Sequence, residues 1–248
     1  MLPISKLPEP PGLRAYKIDL TDHAKRTVGY DNFKNYTKYS KVFEGENRNA
    51  FYELRGQLLY EQKFVCAYCG QIIAHVVNEN GVPEMKTEHF NPQDETVAND
   101  LNYQNLLACC LGGQGSKGEG HCDSAKGEKV LHFIINPSIL TQRDRTIIYK
   151  LNRVKEEVLI VSSDDKKEKE LKDKDFLNLN HQRLRSRRFN TWKNQVLKQL
   201  GEERNWTVAR VTEVRNSYNE ITDGKHKEFK DFILWYLDDW LRRSRIAP

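Results

Sequence analysis

The segment NLLACCLGGQGSKGEGHCDSAKG, residues 105–127, determines how we interpret this chain. It contains two adjacent cysteines, Cys109 and Cys110, and a third, Cys122, which follows after eleven residues that include several glycines. The whole chain has five cysteines and no apolar leader at its N-terminus, so we expect a cytoplasmic protein with reduced thiols. An odd number of clustered cysteines in that setting is typical of metal binding and not of a disulfide framework.

The remaining cysteines, Cys66 and Cys69, belong to the motif CAYCG upstream of that segment. Two thiolates separated by two residues can bind one metal ion, because the turn between them directs both sulfurs inward. Redox-active cysteine pairs share this spacing, but a second cysteine group in the same chain favours a structural zinc site with four ligands.

Composition indicates a folded protein without a membrane span. The 248 residues are 30% charged and 10% aromatic, with a formal net charge of +5. Basic residues concentrate in residues 181–215, which contain nine lysines and arginines but only three glutamates. Within this stretch, the motif HQRLRSRRFNTWK interleaves arginines with aromatic residues. A solvated helix face and a phosphate-binding face explain this pattern equally well.

The hydrophobic pattern predicts an α+β protein with three parts. Residues 1–45 are expected to form an N-terminal arm and lead-in, of which the first dozen residues are proline-rich and extended, and residues 46–135 hold the cysteines. Residues 136–248 are mainly helical and can dock a partner or nucleic acid. In the central part we expect a helix over 47–62, a turn and strand over 66–77, a strand at 84–90 and a short helix from Cys122.

In the C-terminal part, TIIYKL and VLIV predict a hairpin, and SSDDKKEKELKDKD is a linker or a first helical turn. One buried helical stripe is expected to comprise Leu177, Leu184, Trp192, Val196 and Leu200. A second stripe, in the last helix, is expected to comprise Phe229, Phe232, Ile233, Tyr236, Leu237, Trp240 and Leu241.

Between the two cysteine groups lie the motifs EHFNP, which begins with Glu88 and His89, and NLLACC, which begins with Asn105. The order CxxC, acid-His, Asn-Leu, Cys and Cys-Asp-x-x-Lys resembles the zinc-braced HNH endonucleases of the ββα-metal fold. Glu88 and His89 match the acid-His pair on the first strand of that fold, and Asn105 matches the Asn of the connecting loop. Asp123 matches the residue that opens the helix after the last cysteine.

Together with ISKLPEPPGL at the N-terminus and LNLN before the arginine-rich helix, these motifs resemble one branch of the family in particular. That branch is the PtuB-like nuclease subunit of Septu and retron-associated anti-phage defence. The resemblance implies a nuclease that is the toxic subunit of a complex with a PtuA-like ATPase. In retron systems it also implies a reverse transcriptase with its DNA–RNA product as partners.

The resemblance also implies roles for the site residues in phosphodiester hydrolysis of DNA or of RNA such as tRNA. His89 is the expected general base, and Glu88 and Asp123 are expected to hold one catalytic Mg²⁺ or Mn²⁺. Adjacent strand residues point to opposite faces, so Glu88 and His89 can share a site only if the chain bends there. Asn105 can fix the loop after His89, and Lys126 can meet a phosphate oxygen.

Each of these roles has a structural alternative. Asp123 can cap the helix that it opens, Asn105 can bond to its own loop, and Lys126 can be an ordinary solvated lysine. The chain as a whole can instead be a zinc-knuckle module that binds nucleic acid or protein without cutting it. A Cys/His hydrolase is disfavoured because His121, Cys122 and Asp123 are neighbours in sequence.

The resemblance also guides the choice of zinc ligands. Its usual spacing from Asn105 favours Cys110 as the third ligand beside Cys66, Cys69 and Cys122, with Cys109 left as a buried thiol. Cys109 or His121 is the alternative ligand. The chain departs from the usual pattern because its last two cysteine ligands are separated by LGGQGSKGEGH instead of forming a tight CxxC.

Overall fold

A computed structural model describes residues 1–22, 29–43, 46–73, 84–93, 100–113 and 120–244. Within these residues, helices combine with three small two-stranded antiparallel sheets, which confirms the predicted α+β class. The later part of the strand expected over 66–77 and most of the glycine-rich insertion lie outside the described residues.

The N-terminal part contains more regular structure than the predicted arm and lead-in. Its elements are α1 (Pro11–Asp22), α2 (Tyr30–Phe33) and β1 (Ser40–Phe43), and the central part begins with β2 (Glu46–Asn49), which pairs with β1, and α3 (Ala50–Glu61). The side chain of Asn49 caps α3 by accepting a hydrogen bond from the backbone N–H of Tyr52 at 2.9 Å. The predicted helix over 47–62 is therefore confirmed, with its start set by this cap.

The residues before α1 are extended, as expected, but they pack on their own chain. Met1 and Ile4 are buried, and the N–H of Ile4 donates to the carbonyl of Pro137 at 2.9 Å. Lys6 forms an ion pair with Glu61 at 3.1 Å, with both side chains almost fully buried. These contacts attach the arm to the rest of the chain, while Ser5, Leu7 and Pro8 stay exposed.

After α3, the central part continues with a strand pair and a short helix. Strand β3 (Lys86–His89) pairs antiparallel with β4 (Leu106–Cys109), and α4 (Asp123–Lys126) follows the last cysteine. The N–H of Ala67, inside the CxxC motif, donates to the carbonyl of Ala108 in β4 at 3.1 Å. The CxxC turn is thereby attached to the strand that leads into the second cysteine group.

The C-terminal part starts with the predicted hairpin, formed by β5 (Ile147–Asn152) and β6 (Glu157–Ser162). The charged run that follows is a true helix, α5 (Asp165–Lys172), whose first N–H groups are capped by the side chain of Asp164. Helix α6 (Gln182–Trp192) continues through a π-helical turn (Lys193–Leu197) to Leu200, and α7 (Val208–Asn219) and α8 (Lys230–Ser244) complete the fold.

The predicted apolar stripes are largely buried. Leu177, Leu184, Trp192 and Val196 are buried, although Leu177 precedes α6 instead of lying within it. In and just before α8, the buried members are Phe229, Phe232, Ile233, Tyr236, Leu237 and Leu241. Buried residues from all three parts of the chain belong to a single hydrophobic cluster.

Several basic side chains of α6 pair with acidic residues of the same chain. Arg185 contacts Glu157 at 2.8 Å, and Arg187 contacts Glu228 at 2.7 Å. Arg188 is buried. These contacts weaken the interpretation of the arginine-rich helix as a phosphate-binding face, because they occupy charges that such a face would need.

Candidate metal centre and neighbouring carboxylates

The backbone of the CxxC motif forms a closed turn. The N–H of Cys66 donates to the carbonyl of Gln71 at 2.8 Å, and the N–H of Gly70 donates back to the carbonyl of Cys66 at 3.1 Å. Gly70 has a φ of +76°, a conformation that glycine adopts without steric cost. This turn fixes both cysteines of the motif on the inner side of the chain, where they are buried.

Four cysteine sulfurs meet at this turn, those of Cys66, Cys69, Cys110 and Cys122, all within 4.8 Å of one another. The Sγ atoms of Cys66 and Cys122 are 3.9 Å apart, and those of Cys69 and Cys110 are 3.8 Å apart. Four sulfurs that each lie at the usual distance from one zinc ion would be separated by roughly 3.8 Å in a regular tetrahedron. The cluster therefore fits a tetrahedral metal such as zinc.

Cys109 and His121 lie beside the cluster and not within it. Cys109 is fully buried in β4, and burial raises the pKa of its thiol. The Nδ1 atom of His121 lies 3.2 Å from the sulfur of Cys122 and 4.0 Å from that of Cys110. Burial lowers the pKa of His121 to about 4, so its imidazole is neutral at neutral pH. It is therefore suited to a hydrogen bond with a cysteine ligand.

Glu88 and Asp123 are brought together next to the metal centre. The carboxylate of Glu88 accepts a hydrogen bond from the hydroxyl of Tyr68 at 2.6 Å and is almost completely buried. Burial and a hydrogen bond with Asp123 raise the pKa of Glu88 well above its ordinary value. Burial also opposes ionisation of Asp123, but its contacts with Glu88 and Lys86 outweigh this and lower its pKa. Of the two carboxyl groups, Asp123 therefore ionises more readily than Glu88.

Two lysines neutralise these carboxylates. The Nζ atom of Lys126 lies 2.9 Å from Glu88, and that of Lys86 lies 2.9 Å from Asp123. Lys126 is 1% exposed and also donates to the backbone carbonyl of His89 at 3.0 Å. This corrects the predicted phosphate contact of Lys126, because its ammonium is directed inward and occupied there.

The chemistry of the Glu88 and Asp123 side chains is compatible with a catalytic divalent ion. Carboxylate oxygens are suitable ligands for Mg²⁺ or Mn²⁺, and the side chain of Asp123 retains 19% exposure. Lys86 is also partly exposed, so its ammonium can leave Asp123 when a cation arrives. Asp123 is the first residue of α4, and the N-cap position is occupied by Cys122, which argues against the alternative role of Asp123 as the helix cap.

The side chain of His89 contacts other residues than those around Glu88 and Asp123. Its Nε2 atom lies 2.8 Å from the backbone carbonyl of Asp100 and 3.6 Å from the carboxylate of the same residue. The ring packs edge-on against Tyr30 at a centroid distance of 4.9 Å. Burial lowers the pKa of His89, which keeps the imidazole neutral.

Asn105 holds the chain immediately after His89. Its side-chain oxygen accepts from the N–H of Asn91 at 2.8 Å, and its side-chain amide donates to the carbonyl of Asn91 at 2.8 Å. The carbonyl of Asn105 accepts from the N–H of Phe90 at 2.9 Å. The predicted role of Asn105 in fixing this loop is therefore what its contacts show.

The bend that Glu88 and His89 would need in order to share a site is absent, because β3 keeps its pairing with β4 through both residues. Their side chains consequently have different partners, and the backbone carbonyl of His89, through Lys126, links the two sets. The structure thus places the predicted residues in two adjoining groups, one around Glu88 and Asp123 and one around His89.

Three residues of these groups were not identified from the sequence. Tyr68 was treated only as part of the CxxC spacing, Lys86 is one of many lysines, and Asp100 belongs to no motif. Asp100 is fixed by the N–H of Tyr30 at 2.7 Å and the side-chain amide of Gln93 at 2.6 Å. Such contacts depend on the tertiary fold, so spacing along the chain carries no signal for them.

No protein-family model matches the chain, and no curated protein matches it either. Among the helices of the described residues, none combines the length and apolar character that crossing a bilayer requires. The link to HNH endonucleases therefore rests on the order and placement of the residues described above.

Proposed function

We propose that this protein is a metal-dependent endonuclease of the HNH type that hydrolyses phosphodiester bonds in DNA or RNA. One observation carries the proposal. An acid-His pair lies on β3, an Asn that anchors the following loop lies just before β4, and a carboxylate opens α4 directly after the fourth clustered cysteine. This is the arrangement that the resemblance to the ββα-metal fold leads us to expect.

In the proposed reaction His89 is the general base. The carbonyl of Asp100 accepts a hydrogen bond only from a protonated Nε2, so the neutral ring keeps its lone pair on Nδ1. Nδ1 can then take the proton of the attacking water. Asn105 and Asp100 orient the ring, the first through the backbone that follows it and the second through direct contact.

Glu88 and Asp123 are the residues that would hold the catalytic Mg²⁺ or Mn²⁺. When bound, such an ion stabilises negative charge on the phosphate and on the leaving oxygen. Tyr68 and Lys126 hold the Glu88 carboxylate in place, and Lys126 also fixes the carbonyl of His89. Lys126 is therefore a positioning residue in this proposal.

A second function, a zinc-knuckle module that binds nucleic acid or protein without cutting, is favoured by one observation. Both carboxylates already have ammonium partners, Lys126 for Glu88 and Lys86 for Asp123, so they need no metal for charge balance. A binding module of this kind would retain zinc and bind its target, yet it would show no hydrolysis with any divalent ion.

Purified protein tests the two functions directly. We expect wild type to cut supercoiled DNA or transfer RNA with Mg²⁺ or Mn²⁺ and to stop when the ion is chelated. His89→Ala should reduce cutting by at least about 100-fold, the lower range for loss of a general base, while binding zinc normally. His132→Ala, which removes an exposed histidine, is the matched control. Equal cutting by His89→Ala and wild type would exclude the proposed mechanism.

From the resemblance we further propose that the nuclease is the toxic subunit of an anti-phage complex with a PtuA-like ATPase. In retron systems a reverse transcriptase and its DNA–RNA product would join them. Co-expression with such an ATPase, followed by size-exclusion chromatography, tests this role. Separate elution of the two proteins would contradict it without affecting the proposed chemistry.

A further inference from the structure

Arg188 in α6 is a buried cation without a carboxylate partner. Its side chain is 1% exposed, and among the described residues no carboxylate lies within ion-pair distance of it. Its guanidinium donates to the backbone carbonyls of Leu179 at 2.8 Å and Val158 at 3.3 Å. Arginine stays charged in proteins, and a buried charge is costly unless an opposite charge lies near it.

The segments that hold Arg188 also hold both halves of the metal centre. Leu179, which accepts its hydrogen bond, lies two residues after Leu177, whose carbonyl accepts from the N–H of Cys122 at 2.8 Å. On its other side the guanidinium lies 5.8 Å from the centre of the Phe229 ring. The N–H of Phe229 in turn donates to the carbonyl of Gly70, which adjoins Cys69, at 2.8 Å.

A metal ion bound by the four cysteines would supply a charge opposite to that of Arg188. A zinc ion with four thiolate ligands carries a net negative charge of about two units. Burial lowers the pKa of Arg188, whereas Tyr149 and, after it, the sulfurs of Cys69 and Cys122 act in the opposite direction. The hydrogen bonds and the ring contact of Arg188 place it against the two segments that are bonded to Cys122 and to the CxxC turn.

We propose that Arg188 is the counter-charge of the metal centre, and that its guanidinium offsets part of the negative charge of the zinc–thiolate cluster and slows metal release. The proposal depends on metal binding by the four cysteines and not on nuclease activity. It makes α6 part of the metal site, although α6 contributes no ligand.

The test measures the rate at which the zinc-loaded full-length protein releases zinc to an excess of a chromogenic chelator. Loss of an outer-shell partner typically costs about 10- to 100-fold in metal affinity, so we expect Arg188→Met to release zinc faster by about that factor. Arg188→Lys keeps the charge and should release zinc at close to the wild-type rate. Arg185→Met removes a partly exposed arginine of the same helix that pairs with Glu157, and it is the matched control.

Zinc release from Arg188→Met at the wild-type rate would overturn the proposal. Equally fast release from Arg188→Lys and Arg188→Met would also overturn it, because that result would assign the effect to the hydrogen bonds of the guanidinium and not to its charge. If Arg188→Met fails to fold, Arg188→Gln takes its place, since its amide is neutral but still polar. Circular dichroism of each loaded variant verifies that the fold is intact before release begins.

Discussion

A few buried polar side chains set the geometry of the candidate site at the scale of single residues. Tyr68 and Lys126 hold one carboxylate, and Asn105 holds the loop that follows His89. Each of these groups is buried, so its hydrogen bonds cannot be replaced by water without rearrangement. The precision of the site thus depends on residues that need not touch a substrate.

Asn105→Ala should impair both stability and cutting. The substitution leaves the N–H and carbonyl of Asn91 without their side-chain partner, which should lower the free energy of unfolding by about 1 to 3 kcal/mol. Urea denaturation measures this change, and kcat should fall because the chain after His89 loses its anchor.

Asn102→Ala is a suitable control for that experiment, since among the described residues the side chain of Asn102 bonds only locally, to the N–H of Gln104 at 3.1 Å. Unchanged kcat in Asn105→Ala would show that the loop is held by other contacts.

At the scale of elements, the sulfur cluster joins a turn, a strand end and a helix start. Cys66 and Cys69 come from the CxxC turn, Cys110 follows β4, and Cys122 precedes α4. Because structural zinc contributes folding free energy directly, removal of the metal should loosen these three elements together.

The two adjacent cysteines should respond differently to substitution. We expect Cys110→Ser to lose most of its bound zinc and to melt at a lower temperature, since serine is a poor ligand for zinc. Cys109→Ser should retain about one zinc per chain, because the Cys109 sulfur lies outside the cluster. Metal analysis after gel filtration measures the zinc content of both variants, and the opposite pattern would assign Cys109 as the ligand.

Sequence periodicity predicted many of the elements, because burial repeats along a helix or strand. The hairpin at 147–162 and the apolar face of α8 are examples. Periodicity did not decide whether the charged run at 162–175 is a linker or a helix, because a mostly polar helix has little apolar pattern. Motif spacing selected Glu88, His89, Asn105 and Asp123 as candidates, whereas the contact of Asp100 with His89 became visible only in the fold.

The sequence predicted where the candidate residues lie along the strands and helices better than it predicted which way their side chains point. Spacing alone could not show that β3 stays regular through Glu88 and His89, or that Lys126 turns inward to the carbonyl of His89. Both outcomes depend on what packs against the strand, which local sequence does not encode.

At the scale of the whole molecule, the connection between α7 and α8 rests on the CxxC turn and the end of α3. The N–H of His226 donates to the carbonyl of Lys63 at 2.9 Å, and Phe229 bonds to Gly70 as described above. The C-terminal helices therefore support the metal centre from the outside.

This connection predicts a dependence of stability on pH. Burial, together with the charges of Lys230 and Lys63, lowers the pKa of His226 from 6.5 to about 4. Between pH 6.5 and 4 the His226 imidazole is protonated in the unfolded chain but mostly neutral in the folded chain. The free energy of unfolding should therefore fall as the pH decreases from 6.5 towards 4.

The midpoint of urea unfolding as a function of pH measures this effect. His226→Gln removes the titrating group, so its midpoint should vary less than that of wild type across the same range. Identical pH profiles for the two proteins would assign the effect to other groups.

The position of the four sulfurs along the chain has a consequence for a protein whose backbone has been cut. Cys69 and Cys110 are 41 residues apart, and β3 lies between them. A single proteolytic nick between these two cysteines would leave each fragment with two sulfurs. A bound metal ion would then act as a reversible crosslink between two polypeptides, and the nicked protein would hold together more firmly in zinc than in a chelator.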